Sequence, residues 1–161
     1  MSALLFSVGT ASPCSVIGGI SSPAELVRAA DVIVRATAVA YDGTAEEKYD
    51  DHFLPQSRIR FKVHEVIRGP ISRNEIVLVG FLVDKDDFSN DPVPRTFVRF
   101  AGRGGNCYAD TYQRGGQFLL FLRRTSSGAY SARWSPLAPL NEQLLGEDDP
   151  WLNWVRAESR K

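Results

Sequence analysis

The residues best suited to covalent chemistry are two cysteines, Cys14 and Cys107. Their wide separation excludes the close Cys-x-x-Cys pairs of zinc and redox sites. A thiolate nucleophile needs a base beside it, and the only imidazoles available are those of His52 and His64. His52 lies in an acidic stretch and His64 on the polar face of a predicted strand, outside any nucleophile motif. Because catalysis needs a nucleophile, a base and oxyanion donors together, we predict that the protein is not an enzyme.

Oxygen-bearing side chains cluster between residues 84 and 91 and could hold a hard cation, which takes about six to eight oxygen ligands. They are Asp84, Asp86, Asp87, Asn90 and Asp91. The segment lacks the glycine and the terminal glutamate of an EF-hand, so a solvated acidic loop is the favoured interpretation. Asp84, Asp86 and Asp87 are kept as weak metal candidates, and we predict no cofactor.

A glycine-rich run, Gly102–Gly105, has the composition of a phosphate cradle. No P-loop lysine follows it, no dinucleotide fingerprint contains it, and no helix is predicted after it. We therefore predict a flexible turn ahead of Cys107.

A basic stripe could bind single-stranded nucleic acid on a sheet face. It consists of Arg58, Arg60 and Lys62, with Arg95 and Arg99 as further members. Such sites interleave exposed aromatic residues with the charges. Alternation instead places Phe61, Phe97 and Phe100 at least partly in the core. A solvated outer face is therefore favoured, and we do not expect a nucleic acid as the partner.

Length and composition fit one globular domain: 161 residues, 43% hydrophobic and 24% charged, with zero net charge. There is no overall basic excess to attract a nucleic acid, and no stretch approaches the ~20 apolar residues of a membrane span. The first eleven residues are short, apolar and small, like the end of a signal peptide. We predict a secreted or extracytoplasmic protein, with residues 1–13 as a signal-peptide remnant or disordered segment and 14–161 as a single domain.

The elements that would position these residues are mostly strands. The β-forming runs are Val32–Tyr41, Ser57–Arg68, Glu75–Val83, Gln117–Arg124 and Ala129–Trp134, and an acidic loop leads into a further run at Arg95–Ala101. Ser57–Arg68 alternates cleanly, as a half-buried strand does. Glu75–Val83 is apolar on both faces, which predicts a central strand with a bulge or corner at Gly80.

Two short helices are predicted from their caps. Ser22, Pro23 and Glu25 form a capping box ahead of the first, and Asp149 and Pro150 begin the second. Strands at this spacing without long alternating helices indicate a mainly β protein. We predict a five- to six-stranded Greek-key barrel of the OB type with a short N-terminal and a C-terminal helix.

The order of these features resembles the netrin-like module found in tissue inhibitors of metalloproteinases. The matching segments are Cys14-Ser15, the first helix, Ala30–Val39, Arg58–Val63 through Arg68-Gly69-Pro70, Asn106-Cys107 and Gly115–Phe121. They cover most of the chain. The resemblance implies an OB-type barrel and a disulfide between Cys14 and Cys107.

By the same resemblance, Cys14 would be the mature N-terminus and chelate a protease zinc through its amine and carbonyl, while Ser15 enters the specificity pocket. The chain departs from the family at Val16, where another cysteine is usual, and cleavage after Ala11 would leave Ser12-Pro13 ahead of Cys14. We expect a secreted, non-catalytic module that binds a protein partner, with inhibition of an extracellular metalloprotease as its sharpest version. A glycan- or protein-binding structural domain of the envelope is the second hypothesis, and a single-strand nucleic-acid binder is the third.

Overall fold

The computed structural model describes residues 19, 21–46, 48–50, 54–71, 73–103 and 107–161. The strands are β1 (Val32–Tyr41), β2 (Arg58–Arg68), β3 (Glu75–Val79), β4 (Phe81–Val83), β5 (Thr111–Gln113), β6 (Gln117–Arg124), β7 (Tyr130–Ser131) and β8 (Asn141–Gln143). The helices are α1 (Pro23–Ala29), the single turn α2 (Phe100–Arg103) and α3 (Pro150–Glu158). The protein is therefore mainly β, as predicted.

Six strands form one antiparallel sheet in the order β3-β2-β1-β6-β7, with β8 pairing the other end of β6. Strands β4 and β5 form a separate parallel pair. The predicted strand Glu75–Val83 is interrupted at Gly80, where a bulge or corner was predicted. Its first half is an edge strand, so the prediction of a central position was wrong. The run is apolar on both faces because its two halves belong to different sheets. Gly80 is required at the split, where φ is +154° and a Cβ would stand 2.7 Å from the carbonyl oxygen of Asp110.

One hydrophobic core fills the inner face of the large sheet. Ala36 and Ala38 of β1 are fully buried there, and the register between β1 and β2 shifts on either side of them. Small side chains and bulges both let a sheet curve tightly. Phe61, Tyr112 and Phe118 pack edge to face within this core.

A second core lies between the outer face of the same sheet and the two end helices. The capping box of α1 is present: Ser22 Oγ accepts from the Glu25 amide, and the Glu25 carboxylate accepts from the Ser22 amide at 2.7 Å. Trp151 of α3 stacks on Phe121 of β6, and Leu26 of α1 belongs to the same cluster. The second helix thus packs against both the sheet and the first helix. No helix in the described ranges is long and apolar enough to span a membrane.

Two parts of the strand pattern differ from the prediction. The hairpin after β6 is present, with the Thr125 amide donating to the Ala129 carbonyl, but its second strand is only Tyr130–Ser131. The run Arg95–Ala101 is not a strand, since it joins no ladder and ends in the α2 turn.

Candidate protein-binding surface

The segment Arg95–Arg103, here called the aromatic loop, places its side chains opposite to the prediction. Phe97 is 42% exposed and Phe100 is 77% exposed, whereas Arg95 is 4% exposed and Arg99 is fully buried. Arg95 and Arg99 therefore cannot extend a basic stripe on the surface, and Phe100 is not a core residue. Both predictions were wrong, because the loop follows no sheet alternation.

Arg99 is buried with its guanidinium fully engaged. Its Nε lies 2.6 Å from the carboxylate of Asp87, and its two terminal nitrogens donate to the carbonyl oxygens of Asn141 and Thr111. The guanidinium also lies 5.7 Å from the ring centroid of Tyr112. A buried guanidinium is tolerated only with such charge pairing and hydrogen bonding. These contacts fix the middle of the aromatic loop to three other segments.

Glu142 of β8 holds the loop at two points. One carboxylate oxygen accepts from the backbone amide of Arg99 at 3.0 Å, and the other lies 3.5 Å from the Arg95 guanidinium. Arg95 also lies 3.8 Å from Asp149, the N-cap residue of α3. Burial raises the pKa of Glu142 to about 7, although Arg99 and Arg95 oppose the shift. The carboxylate therefore titrates near neutral pH.

The neighbours of Glu142 complete a buried polar network. Asn141 donates to the hydroxyl of Tyr112 at 2.9 Å, and Gln143 donates to the carboxylate of Asp86 at 2.8 Å. The side-chain oxygen of Gln143 accepts from the amide of Asp87 at 2.8 Å. All three residues of β8 are buried, so this polar strand ties the acidic loop to the core.

The acidic loop is held by these contacts. Asp86 is engaged by Gln143 and Asp87 by Arg99, while Asp84 is exposed. Within the part of the chain that the structure describes, no three potential ligands are grouped as a metal site requires. Asp86 and Asp87 thus act as hydrogen-bond and ion-pair acceptors in this structure.

Cys107 lies beside the aromatic loop. The Leu137 amide donates to the Cys107 carbonyl at 2.9 Å, and the Leu137 carbonyl accepts from the amide of Val98 at 3.0 Å. Leu137 therefore joins the two segments. Cys14 and Ser15 lie outside the described residues, so the bridge from Cys14 to Cys107 and the zinc-chelating role stay predictions.

The glycines ahead of Cys107 are only partly described. A Cβ on Gly102 would stand 2.8 Å from the Ala109 backbone nitrogen, so close packing favours glycine there. Gly104 and Gly105 lie outside the described residues. Next to Ala109, burial raises the pKa of Asp110 to about 6, although the Arg133 guanidinium opposes the shift from 3.4 Å.

The remaining predicted site residues lie on β2 or beyond the described ranges. Arg58, Arg60 and Lys62 are exposed on its outer face, as alternation predicted. His64 lies 2.8 Å from the hydroxyl of Thr37 across the β1–β2 ladder, and its pKa is lowered by burial and by nearby cationic side chains. His52 lies outside the described residues. The exposed basic stripe therefore consists of Arg58, Arg60 and Lys62, and it does not include the buried Arg95 and Arg99.

A comparison with protein-family models and with curated proteins found no match to this sequence. The likeness to netrin-like modules therefore rests on the residues and their order alone. The described residues thus form a loop with two exposed phenylalanines. Buried ion pairs of Arg95 and Arg99 hold this loop in place, and hydrogen bonds through Leu137 connect it to Cys107.

Proposed function

We propose that this protein is a secreted, non-catalytic binding module that contacts a protein partner through the aromatic loop and the N-terminal segment around Cys14 and Ser15. The observation that carries the proposal is the 77% exposure of Phe100 on a loop whose Arg95 and Arg99 are buried. Large aromatic side chains on a fixed, exposed loop are typical of the centre of protein interfaces. Phe97 extends the same apolar surface.

The strand order supports an OB-type barrel as the scaffold. Successive pairs along β3-β2-β1-β6-β7 are antiparallel, so β3 and β7 run in the same direction at the two edges of the sheet. The two edges lie next to each other, which a strongly curled sheet requires. An OB-type barrel is a five-stranded, partly open barrel, and this arrangement fits that description.

Inhibition of a metalloprotease is the most specific version of this proposed protein-binding function. It needs a mature chain that begins at Cys14, because any extension would displace the amine from the protease zinc. The intact and non-reduced peptide masses of exported protein test this directly. A start at Cys14 bridged to Cys107, with inhibition that one added N-terminal residue abolishes, supports it. A start at Ser12 or earlier removes zinc chelation and leaves binding by the aromatic loop.

The aromatic loop is tested by crosslinking. A photoreactive phenylalanine analogue placed at position 100 is compared with the same analogue at position 39, since Val39 is also exposed but lies on β1. We expect one protein to crosslink at position 100 and not at position 39. Purified, that protein should bind the Phe100→Ser variant at least about tenfold more weakly than wild type. Equal crosslinking at both positions, or equal affinity of the two proteins, would exclude the loop as the contact surface.

A further inference from the structure

A group of arginines lies at one end of the large sheet, on residues that the aromatic loop does not include. Residues 28–31, 68–74 and 122–129 form this end, and they contain five arginines and one carboxylate, that of Asp31. The whole chain has equal numbers of basic and acidic residues, so this end carries a local excess of positive charge. The group, here called the basic rim, consists of Arg28, Arg68, Arg73, Arg123 and Arg124.

Backbone contacts bring the three segments of the basic rim together. The Asp31 amide donates to the Leu122 carbonyl at 3.0 Å, and the Asp31 carboxylate accepts from the Arg124 amide at 2.8 Å. The backbones of Asp31 and Gly69 are in contact, since a Cβ on Gly69 would collide with the Asp31 carbonyl oxygen. The beginning of β1 and the ends of β2 and β6 therefore lie side by side.

Two guanidinium groups of the basic rim are held by backbone carbonyls at this end. Arg68 donates to the carbonyl of Arg28, at the end of α1, at 3.4 Å. Arg124 donates to the carbonyl of Pro70 at 3.1 Å and lies over the ring of Tyr130 on β7. Because Arg68 and Pro70 are only two residues apart, these contacts form a row from α1 to β7. The row follows the end of the sheet and is not confined to one of its faces.

The charges of the basic rim are available to a ligand. None of the five arginines forms an ion pair with a carboxylate in the described part of the chain. Arg68 is half-buried and the other four are exposed. Arg73 lines the same cleft as Arg124, and Arg123 lies 5.3 Å from the ring centroid of Trp134. Side chains that are already positioned lose less conformational entropy when a ligand binds.

The surroundings of the basic rim favour a ligand with many negative charges and little apolar surface. No aromatic or large aliphatic side chain is exposed among the described residues of the three segments, whereas the centre of a protein interface is apolar and poor in charge. Tyr130 and Trp134 are half-buried beneath guanidinium groups, so they offer no free ring on which a nucleic-acid base could stack. Guanidinium groups bind sulfate and carboxylate groups through paired hydrogen bonds.

We propose that the basic rim binds an anionic polysaccharide, whose repeated sulfate or carboxylate groups contact successive arginines. A chain with repeated charges can reach arginines that are spread along the end of the sheet, which one small anion cannot do. The inference does not rest on the aromatic loop, which presents phenylalanines to a protein partner.

The binding test uses fluorescein-labelled dextran sulfate oligosaccharide, titrated with the full chain by fluorescence anisotropy at low salt. A labelled oligogalacturonate distinguishes carboxylate from sulfate chemistry, and uncharged labelled dextran is the control ligand. We expect saturable binding of at least one anionic probe and none of dextran. The affinity should fall steeply as salt is added, because the contacts are between charges.

The site is tested by removing charges in matched sets. The variant Arg28→Ser/Arg73→Ser/Arg124→Ser should bind the anionic probe at least about tenfold more weakly than wild type. The control variant loses the same number of charges from exposed arginines outside the basic rim, replaced by serine at Arg58, Arg60 and Arg114. It should bind within about twofold of wild type, since long-range attraction is screened by salt.

A second measurement uses the wild-type chain and does not depend on the folding of a variant. Phenylglyoxal modifies exposed arginines, and peptide masses report which of them have reacted. We expect the bound probe to protect Arg28, Arg73 and Arg124 from modification and to leave Arg58 and Arg60 reactive.

Three results would overturn the proposal. They are no binding of either anionic probe at millimolar protein, equal weakening by the two triple variants, and equal protection of the arginines inside and outside the basic rim. Tighter binding of anionic lipid vesicles or of an oligonucleotide than of both polysaccharides would also overturn it, and would assign the rim to a membrane or to a nucleic acid. Phe100→Ser should leave polysaccharide binding unchanged, which separates a failure of this proposal from a failure of the aromatic-loop interface.

Discussion

Strand β2 and the aromatic loop contain the same kinds of residue in opposite positions. On β2, Phe61 is fully buried and Arg60 is exposed. On the aromatic loop, Arg99 is fully buried and Phe100 is mostly exposed. Residue type alone therefore does not decide the position of an arginine, and alternation decides it on the strand but not on the loop.

The difference lies in the counter-charges that each segment meets. The arginines of β2 lie on the side of the strand that faces water, so they need no partner in the interior. The loop arginines meet three carboxylates supplied by distant segments: Asp87, Glu142 and Asp149. A buried carboxylate and a buried guanidinium are each costly alone and tolerable together. With the arginines turned inward, the phenylalanines face outward.

Replacing Phe61 or Phe100 by alanine, one at a time, should give the largest difference in the free energy of unfolding. Phe61→Ala should lower the free energy of unfolding by about 3–5 kcal/mol, because it leaves a cavity in the core. Phe100→Ala should change it by no more than about 0.5 kcal/mol, since the ring is exposed. Equilibrium urea unfolding measures both. A loss above about 2 kcal/mol for Phe100→Ala would instead place that ring in the core.

The pH dependence of stability tests the buried side of the loop. The pKa of Glu142 is raised from 4.5 to about 7, so the folded state holds a proton that the unfolded state releases. Stability should therefore fall as pH rises through this window, by about 3 kcal/mol from this group. Glu142→Gln should remove that part of the slope. The raised pKa of Asp110 also makes stability fall as pH rises, but Asp110 is present in both wild type and Glu142→Gln, so it does not affect their difference.

The measurement is urea unfolding of wild type and Glu142→Gln at several pH values across the window. The two unfolding free energies should diverge as pH rises, with the variant losing less. Parallel curves would show that the pKa of Glu142 is not raised in the folded state.

We expect a smaller loss of stability at Asp87, the partly exposed partner of Arg99. Asp87→Asn keeps an acceptor for the Arg99 guanidinium but removes the charge, which should cost about 1 kcal/mol. Asp86→Asn is the matched control, since Asp86 is exposed and accepts from the neutral side-chain amide of Gln143. It should stay within about 0.5 kcal/mol of wild type. Equal losses in both variants would mean that Asp87 contributes as a surface acceptor only.

Sequence reasoning was reliable where a local rule decides the structure. The capping box at Ser22 and Glu25 fixed the start of α1, and alternation placed Phe61 inside and Arg60 outside. Each of these features depends on residues within a few positions of one another.

The aromatic loop could not be predicted in this way. Its inward arginines depend on Glu142, which belongs to a strand made of three polar residues, and no propensity scale favours Asn-Glu-Gln as a buried strand. The signal that exists is weak: the polar triplet stands between the buried Leu140 and Leu144. The edge position of β3 was also missed, because the single apolar run Glu75–Val83 forms strands of two different sheets.

The most direct test of the central claim compares two arginines by urea unfolding. Arg99→Met removes a buried guanidinium and leaves the Asp87 carboxylate and two carbonyl groups without their donor, whereas Arg60→Met changes an exposed side chain. We expect a loss of about 3–5 kcal/mol for Arg99→Met and a change within about 0.5 kcal/mol for Arg60→Met. Similar small effects in both variants would place Arg99 in water and contradict a buried, ion-paired guanidinium.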